Sequence, residues 1–245
     1  MGSIESLKIK LFMDGAEIRS MIEAVKTNPL IRGFTTNPTL MRKAGITDYA
    51  AFAQEAIAAV GGLPISFEVF SDSFEDMERE ARIIHSWGGN TYIKIPITNT
   101  QGASSVPLIA KLSQEGIALN VTAIMTPEQV EAVAQALDVG TPAIVSVFAG
   151  RIADTGVDPM PLMRQCKTLL RGLPKAELLW ASPRELLNVF QADEVGCEII
   201  TATKDVLAKL SVVGKDLSHY SLETVQMFYT DAQAAGFRLT EADRA

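Results

Sequence analysis

The chain has 245 residues, enough to bury one sizeable core, and its 47% hydrophobic and 21% charged residues are the balance of an ordinary globular domain. A formal net charge of −7 leaves no basic excess to neutralise nucleic-acid phosphates, and no apolar run approaches the roughly 18 residues of a membrane span. Cys166 and Cys197 are too few for a disulfide framework, and neither they nor His85 and His219 show a metal-ligand spacing.

In chain order, short apolar runs alternate with longer amphipathic segments. A strand is expected over residues 9–14, then a helix over 16–26 that opens acidic and ends on Lys26, which suits the helix dipole. A strand over 31–36 leads to an alanine-rich helix over 48–60, stopped by Gly61-Gly62. Next come a strand over 64–70 and a helix over 73–87, started by Ser73 with Asp76 and ended at Gly88-Gly89. The fourth strand is expected over 91–96.

The second half repeats the alternation. Strands are expected over 117–123, 143–148, 177–181 and 198–201, rich in Ile, Val and Leu as befits strands buried on both faces. Helices are expected from Thr126-Pro127-Glu128, where an N-cap, a proline and an early acid coincide, and over 158–170, 183–191 and 203–210. A further helix covers about 222–235. Eight β-then-α units favour a single (β/α)8 barrel over residues 1–245, a TIM barrel with an additional C-terminal helix. The rival is an open doubly wound sheet, but no G-x-G-x-x-G follows the first strand. The N-terminus has no signal-peptide apolar core, so the cytoplasm is the expected compartment.

Active sites of such barrels lie at the C-terminal ends of the strands. The polar groups that interrupt the apolar strands there are Asp14, Thr35-Thr36-Asn37, Glu68, Lys94, Asn120 with Thr122, Ser146 with Arg151, and Ser182 with Arg184. In Tyr92-Ile93-Lys94-Ile95-Pro96, alternation puts the two isoleucines on one face and Lys94 on the other, pointing into the barrel. An ammonium there is costly unless paired or deprotonated, and a neutral amine attacks a ketone to form a Schiff base. The pattern leaves three readings open: a catalytic amine, a structural lysine paired with Asp14 or Glu68 inside the barrel, or a lysine that snorkels out at the strand end. Asn37 could orient a carbonyl or hydroxyl, or serve as a turn residue before Pro38. Arg151 and Arg184 suit a phosphate, with Ser182-Pro183-Arg184 expected at a helix N-terminus, although single loop arginines are commonly just solvated.

Taken together, these positions resemble the transaldolase family, in particular the small bacterial-type branch that includes fructose-6-phosphate aldolases. The motifs are Leu11-Phe12-Met13-Asp14, Thr35-Thr36-Asn37-Pro38-Thr39, Ile93-Lys94-Ile95-Pro96, Asn120-Val121-Thr122 and Ala181-Ser182-Pro183-Arg184, and the likeness runs from about Ile9 into the C-terminal helix. The resemblance implies a metal-free, cofactor-free class I mechanism. Lys94 would hold a dihydroxyacetone unit as a Schiff base, Asp14 would be the acid/base, and Glu68 with Thr122 would hold the catalytic water. Asn37, with Thr36 of the same motif, Asn120 and Ser146 would bind the donor, and Arg151, Ser182 and Arg184 its phosphate.

Family aldolases tend to carry Gln where Glu68 stands and Tyr where Phe148 stands. Phe148 is therefore counted with the substrate-binding set, and it favours transfer over release of free dihydroxyacetone. The implied donors are fructose 6-phosphate or sedoheptulose 7-phosphate, and the acceptors erythrose 4-phosphate or glyceraldehyde 3-phosphate, as in the pentose phosphate pathway. The alternatives are an aldolase and a non-catalytic sugar-phosphate-binding barrel. Gly15, Thr39 and Pro183 depart from the family pattern, which bears on the sugar phosphate more than on the chemistry. The last helix carries Val225, Met227, Phe228 and Tyr229, more apolar surface than a solvated helix needs, so it is expected to pack on the barrel or on a neighbouring subunit. By the same resemblance a homo-oligomer is expected.

Overall fold

The structure, a computed structural model, describes residues 4–240 and 242. Eight parallel strands close into a barrel in sequence order, with β8 returning to pair with β1. They are β1 Lys10–Asp14, β2 Ile31–Thr35, β3 Ile65–Glu68, β4 Thr91–Pro96, β5 Leu119–Ile124, β6 Ala143–Val147, β7 Ala176–Trp180 and β8 Ile199–Thr203. Around them lie α1 Ile18–Thr27, α2 Pro38–Lys43, α3 Tyr49–Ala59, α4 Phe74–Ser86, α5 Val106–Gln114, α6 Pro127–Ala136, α7 Ala149–Asp154, α8 Pro159–Leu169, α9 Leu187–Val195, α10 Lys204–Ala208 and α11 Leu217–Ala234. The expected (β/α)8 alternation is what the chain adopts.

The strands separate two apolar regions by their period of two. Outward-facing residues such as Phe34, Phe67, Ile93, Ile95, Val121, Val145 and Trp180 join the large core between sheet and helices. Inward-facing Phe12, Ile144, Leu179, Ala181 and Ile199, with Tyr92 and Phe148 against them, fill the barrel interior. Phe12 fits because its neighbour across β1–β2 is Gly33, where a Cβ would come within 2.4 Å of the ring. This apolar plug fills the middle of the interior, between the Lys10–Glu177 ion pair at the N-terminal ends of β1 and β7 and the polar residues near the C-terminal ends of the strands.

Helix starts follow the capping logic of the sequence. Ser73 Oγ accepts from Asp76 N at 3.1 Å, and Thr126 with Gln129 forms a full capping box. The glycine pairs that end α3 and precede β4 are left-handed, with φ from 61° to 86°. Three helices escaped the sequence pattern. The six-residue α2 and α7 are too short for a visible period, and α5 starts without a side-chain cap.

Two helix starts lie four or more residues from expectation. α9 begins at Leu187 rather than 183, because Ser182 is left-handed at φ 60° and Asn188 Oδ1 accepts from the N–H of Arg184 and Glu185. Ser182-Pro183-Arg184 therefore is a turn and not a helix N-terminus. α11 begins at Leu217, capped by Asp216, earlier than the expected 222. None of its residues is buried: Val225, Met227, Phe228 and Tyr229 are 52–68% exposed.

Candidate active site

The sheet register sets the site. Glu68 pairs with Lys94, Lys94 with Asn120, and Pro96 with Thr122, so consecutive strands present polar side chains in adjoining layers. With Ile93 and Ile95 fully buried in the outer core, Lys94 is held facing inward and is itself 7% exposed. Its Nζ lies 3.1 Å from Glu68 Oε2 and donates to the Thr36 carbonyl at 3.2 Å. The lysine thus has one carboxylate and one carbonyl as partners and otherwise faces a cavity. The end of β3 that carries Glu68 is braced from behind. Tyr49, at the start of α3, donates its hydroxyl to the Glu68 carbonyl at 2.7 Å, and its ring packs with Phe67, Phe70 and Trp87. Burial, then the Glu68 charge, pushes this phenol well above its ordinary range, so it remains a donor.

Asp14 ends β1 across the site. Its Oδ1 accepts from Thr35 Oγ1 at 2.7 Å, and Thr35 Oγ1 is 2.6 Å from Thr201 Oγ1. Enclosure at the barrel mouth raises the carboxyl above the usual aspartate range, against the opposing pull of the Lys94 charge and the Thr35 hydrogen bond. A carboxyl whose ionised form burial disfavours is a stronger proton acceptor than a free aspartate.

Between these groups lies a polar floor. Asn120 donates to Ser66 Oγ at 2.9 Å and accepts from Ser146 Oγ at 2.6 Å, and Thr36 Oγ1 donates to the Ser66 carbonyl at 3.1 Å. Thr122 Oγ1 is buried with no protein partner, an unmet hydrogen-bonding group of the kind a water or a substrate hydroxyl satisfies. Asn37 has a structural duty as well, since its Oδ1 accepts from Leu40 N at 3.0 Å and caps α2.

The short helix α7 after β6 and the loop after β7 build a cationic side. The Arg151 guanidinium sits 5.5 Å from the Phe148 ring centroid, over its face. Arg184 Nε donates to Asp154 Oδ1 at 3.0 Å and to the Gly150 carbonyl at 3.4 Å, and its guanidinium is ion-paired with Asp154. Helix α7 and the loop after β7 interlock at Gly150, where a Cβ would lie 1.6 Å from the Ser182 carbonyl oxygen, so only glycine fits. Ala123 and Ser182, the two non-glycine residues with positive φ among the described residues, both line the cavity. Such strain concentrates where a backbone must serve a site.

These parts surround one cavity of about 600 Å³, within the range that holds a small phosphorylated sugar. Every expected site residue lines it except Thr36 and Asn120. Thr36 contributes its carbonyl to Lys94 while its hydroxyl is spent on Ser66, and Asn120 lies fully buried, contacting the site through Ser146. Among the described residues no three His, Cys, Asp or Glu side chains gather as metal ligands. The family model for transaldolase/fructose-6-phosphate aldolase matches residues 11–242.

The chain belongs to the transaldolase/fructose-6-phosphate aldolase family.

Relatives of the family support this over nearly the whole length. A protein of Thermoanaerobacter sp., named a probable transaldolase, is 34% identical over 94% of this chain and 100% of its own. A protein of the same name from Thermoplasma volcanium is 36% identical over 82% of this chain and 87% of its own. Among solved structures, a protein assigned to the dihydrodipicolinate synthase family from Coccidioides immitis superposes with a TM-score of 0.60 over 96% of this chain and 80% of its own, at 12% identity, a likeness of fold alone. Sequence reasoning missed four parts of the transaldolase-family site. Thr35 was seen as polar but given no role, and Thr201, Ser66 and Tyr49 passed as ordinary strand or helix residues. Alternation from inward-facing Ile199 would have placed Thr201 inside.

Proposed function

We propose that this chain is a transaldolase that moves a dihydroxyacetone unit between sugar phosphates through a Schiff base on Lys94. The observation that carries the reading is Lys94 itself, a buried amine facing a sugar-sized cavity with Glu68 at 3.1 Å and Asp14 lining the same cavity. The Lys94 amine adds to the ketose carbonyl and, with loss of water, forms the imine. Glu68 and Thr122 hold that water. Asp14 then takes the proton of the hydroxyl one carbon beyond the enamine carbon, the carbon–carbon bond breaks, and the aldose phosphate leaves. The enamine left on Lys94 adds to an acceptor aldehyde, Asp14 returns the proton to the new hydroxyl, and water releases the product ketose. The imine is the electron sink, so the chemistry asks for no cofactor.

Ser146 and Asn37 are assigned to the dihydroxyacetone hydroxyls, with Asn120 fixing Ser146 and Thr36 fixing Lys94. Arg151, Ser182 and Arg184 are assigned to the phosphate. Phe148 supports transfer over cleavage, because a phenyl ring offers no hydroxyl to assist water against the imine. The enamine then waits for an aldehyde. With fructose 6-phosphate alone, turnover is expected to be slow, and erythrose 4-phosphate is expected to raise it at least tenfold. Dihydroxyacetone release at the full rate without an acceptor would identify an aldolase instead.

This reading places the enzyme in the pentose phosphate pathway and in the cytoplasm, where its buried, free Cys166 and Cys197 would stay reduced. Burial pushes both thiols up to about 12, so they are unreactive. Among the described residues no helix is long and apolar enough to cross a membrane. Residues 1–245 act as one barrel domain in this reading, and the uncovered face of α11 is assigned to a neighbouring copy in a homo-oligomer. Light scattering is expected to give a multiple of the 26.5 kDa chain mass, and a monomer mass would refute the assignment.

A further inference from the structure

We propose that Thr201 on β8, acting through Thr35 on β2, is a positioning residue that holds Asp14 in its carboxylate form and so sets the pH at which the proton transfer works. Thr35 has a single hydroxyl hydrogen, and at 2.7 Å from Asp14 Oδ1 it is committed to the carboxylate. The 2.6 Å contact between the two threonine hydroxyls therefore has Thr201 as its donor. The hydrogen bonds run one way, Thr201 to Thr35 to Asp14, and each polarises the next. A proton on Asp14 facing Thr35 would reverse that direction and remove the charge-assisted hydrogen bond that Thr35 donates to the carboxylate. The relay thus favours the ionised acid.

The placement of the pair is built into the barrel. Thr201 and Phe12 are paired in the β8–β1 register, and Asp14 and Thr35 in the β1–β2 register, so Thr201 stands level with Phe12 and the Asp14–Thr35 pair one inward-facing step further along β1. Thr35 is 2% and Thr201 7% exposed, so solvent competes little for either hydroxyl. Other charges also face Asp14. Lys94 favours its ionised form, and Glu68, Arg151 on α7 and Arg184 on the loop after β7 line the same cavity. Lys43, Glu17, Lys204 and Asp205 line an adjoining depression with Asp14 and are exposed. Their influence fades as ionic strength rises, whereas that of a buried relay does not.

The inference assigns Thr201 and Thr35 to the acid/base step and so rests on the proposed Schiff-base reading for its catalytic meaning, but the titration of Asp14 can be read without turnover. The experiment follows the Asp14 carboxyl carbon by NMR in aspartate-labelled protein, the resonance being assigned by its loss in Asp14→Asn, in parallel with the pH profile of kcat/KM. Thr201→Val is expected to move both the midpoint and the acid limb up by roughly half a pH unit, and Thr35→Val by roughly one. Thr201→Ser, which keeps the hydroxyl, is expected to restore the wild-type values and also stands in if the valine variant fails to fold. Both shifts should persist at raised ionic strength. An Asp14 midpoint unmoved in Thr201→Val, or a serine variant that titrates away from wild type, overturns the relay. A relay-dependent midpoint in protein that shows no turnover would uphold the relay and sink the Schiff-base reading, so the two failures are distinct.

Discussion

Lys94→Met is expected to keep the barrel folded and to lose turnover by on the order of 10⁴-fold or more, the loss typical of removing a covalent nucleophile. Methionine follows the lysine stem and lets Ile93 and Ile95 keep their places in the outer core. Glu68 loses its partner, but its side chain is 18% exposed and faces the cavity, so the carboxylate can turn to water and avoids the full penalty of an unpaired buried charge. Lys94→Arg separates chemistry from charge. A guanidinium keeps the positive charge beside Glu68 yet offers no nucleophilic amine, so its loss should match that of methionine. Steady-state kinetics with donor and acceptor, beside circular dichroism to establish folding, read both. A substantial rate in the arginine variant would mean that Lys94 contributes charge and not a covalent bond.

Asp14→Asn has an expected effect in each direction: kcat falls by roughly 10²–10⁴-fold, while thermal stability rises at neutral pH. The kinetic part follows because an amide cannot exchange the aldol proton. The stability part follows from the raised carboxyl. A folded-state value above the unfolded one means that, between the two, the native state holds a proton the unfolded chain has released, so stability falls as pH rises through that window. The penalty is absent below the ordinary aspartate range and complete above the folded-state value. Asparagine has nothing to ionise and its carbonyl still accepts from Thr35, so the variant escapes the penalty at pH 7. Melting temperature measured against pH checks it: the gap between variant and wild type should open from acid to neutral. A gap that closes over that range would mean the carboxylate is stabilised by its surroundings.

The barrel was legible because its signals are local and repeated. β4 falls where the apolar run put it, and the outward isoleucines fix the direction of Lys94 by a period of two. The glycine pairs at 61–62 and 88–89 closed two units by backbone conformation alone. The cavity-lining positions were legible for a related reason. A charged or amide side chain in an apolar strand is conspicuous, and the barrel rule says which end it occupies.

What was hard to read lay one residue away or depended on contacts across strands. Thr35 and Thr36 differ by a single step on β2, which exchanges the inside for the outside of the sheet. Phe34 in the outer core, with Gly33 under the Phe12 ring, puts Thr35 inside and turns the Thr36 hydroxyl to the Ser66 carbonyl. Thr201 is silent in sequence because threonine is an ordinary strand residue. Its meaning comes from Thr35, far away in the chain. Ser182-Pro183-Arg184 looked like a helix start, as proline at a first turn usually is. The close approach at Gly150 and the Asn188 side chain, which accepts from the Arg184 and Glu185 N–H groups, keep it out of the helix, so the cationic side of the cavity consists of arginine side chains with no helix N-terminus at Ser182.

The measurement that bears most directly on the Schiff-base account is borohydride reduction of the protein mixed with fructose 6-phosphate, followed by peptide mass mapping. The account predicts a covalent sugar-derived adduct on the peptide that contains Lys94, absent in Lys94→Met and absent when the donor is withheld. Folded wild-type protein that yields no adduct, or an adduct on another lysine, would contradict it.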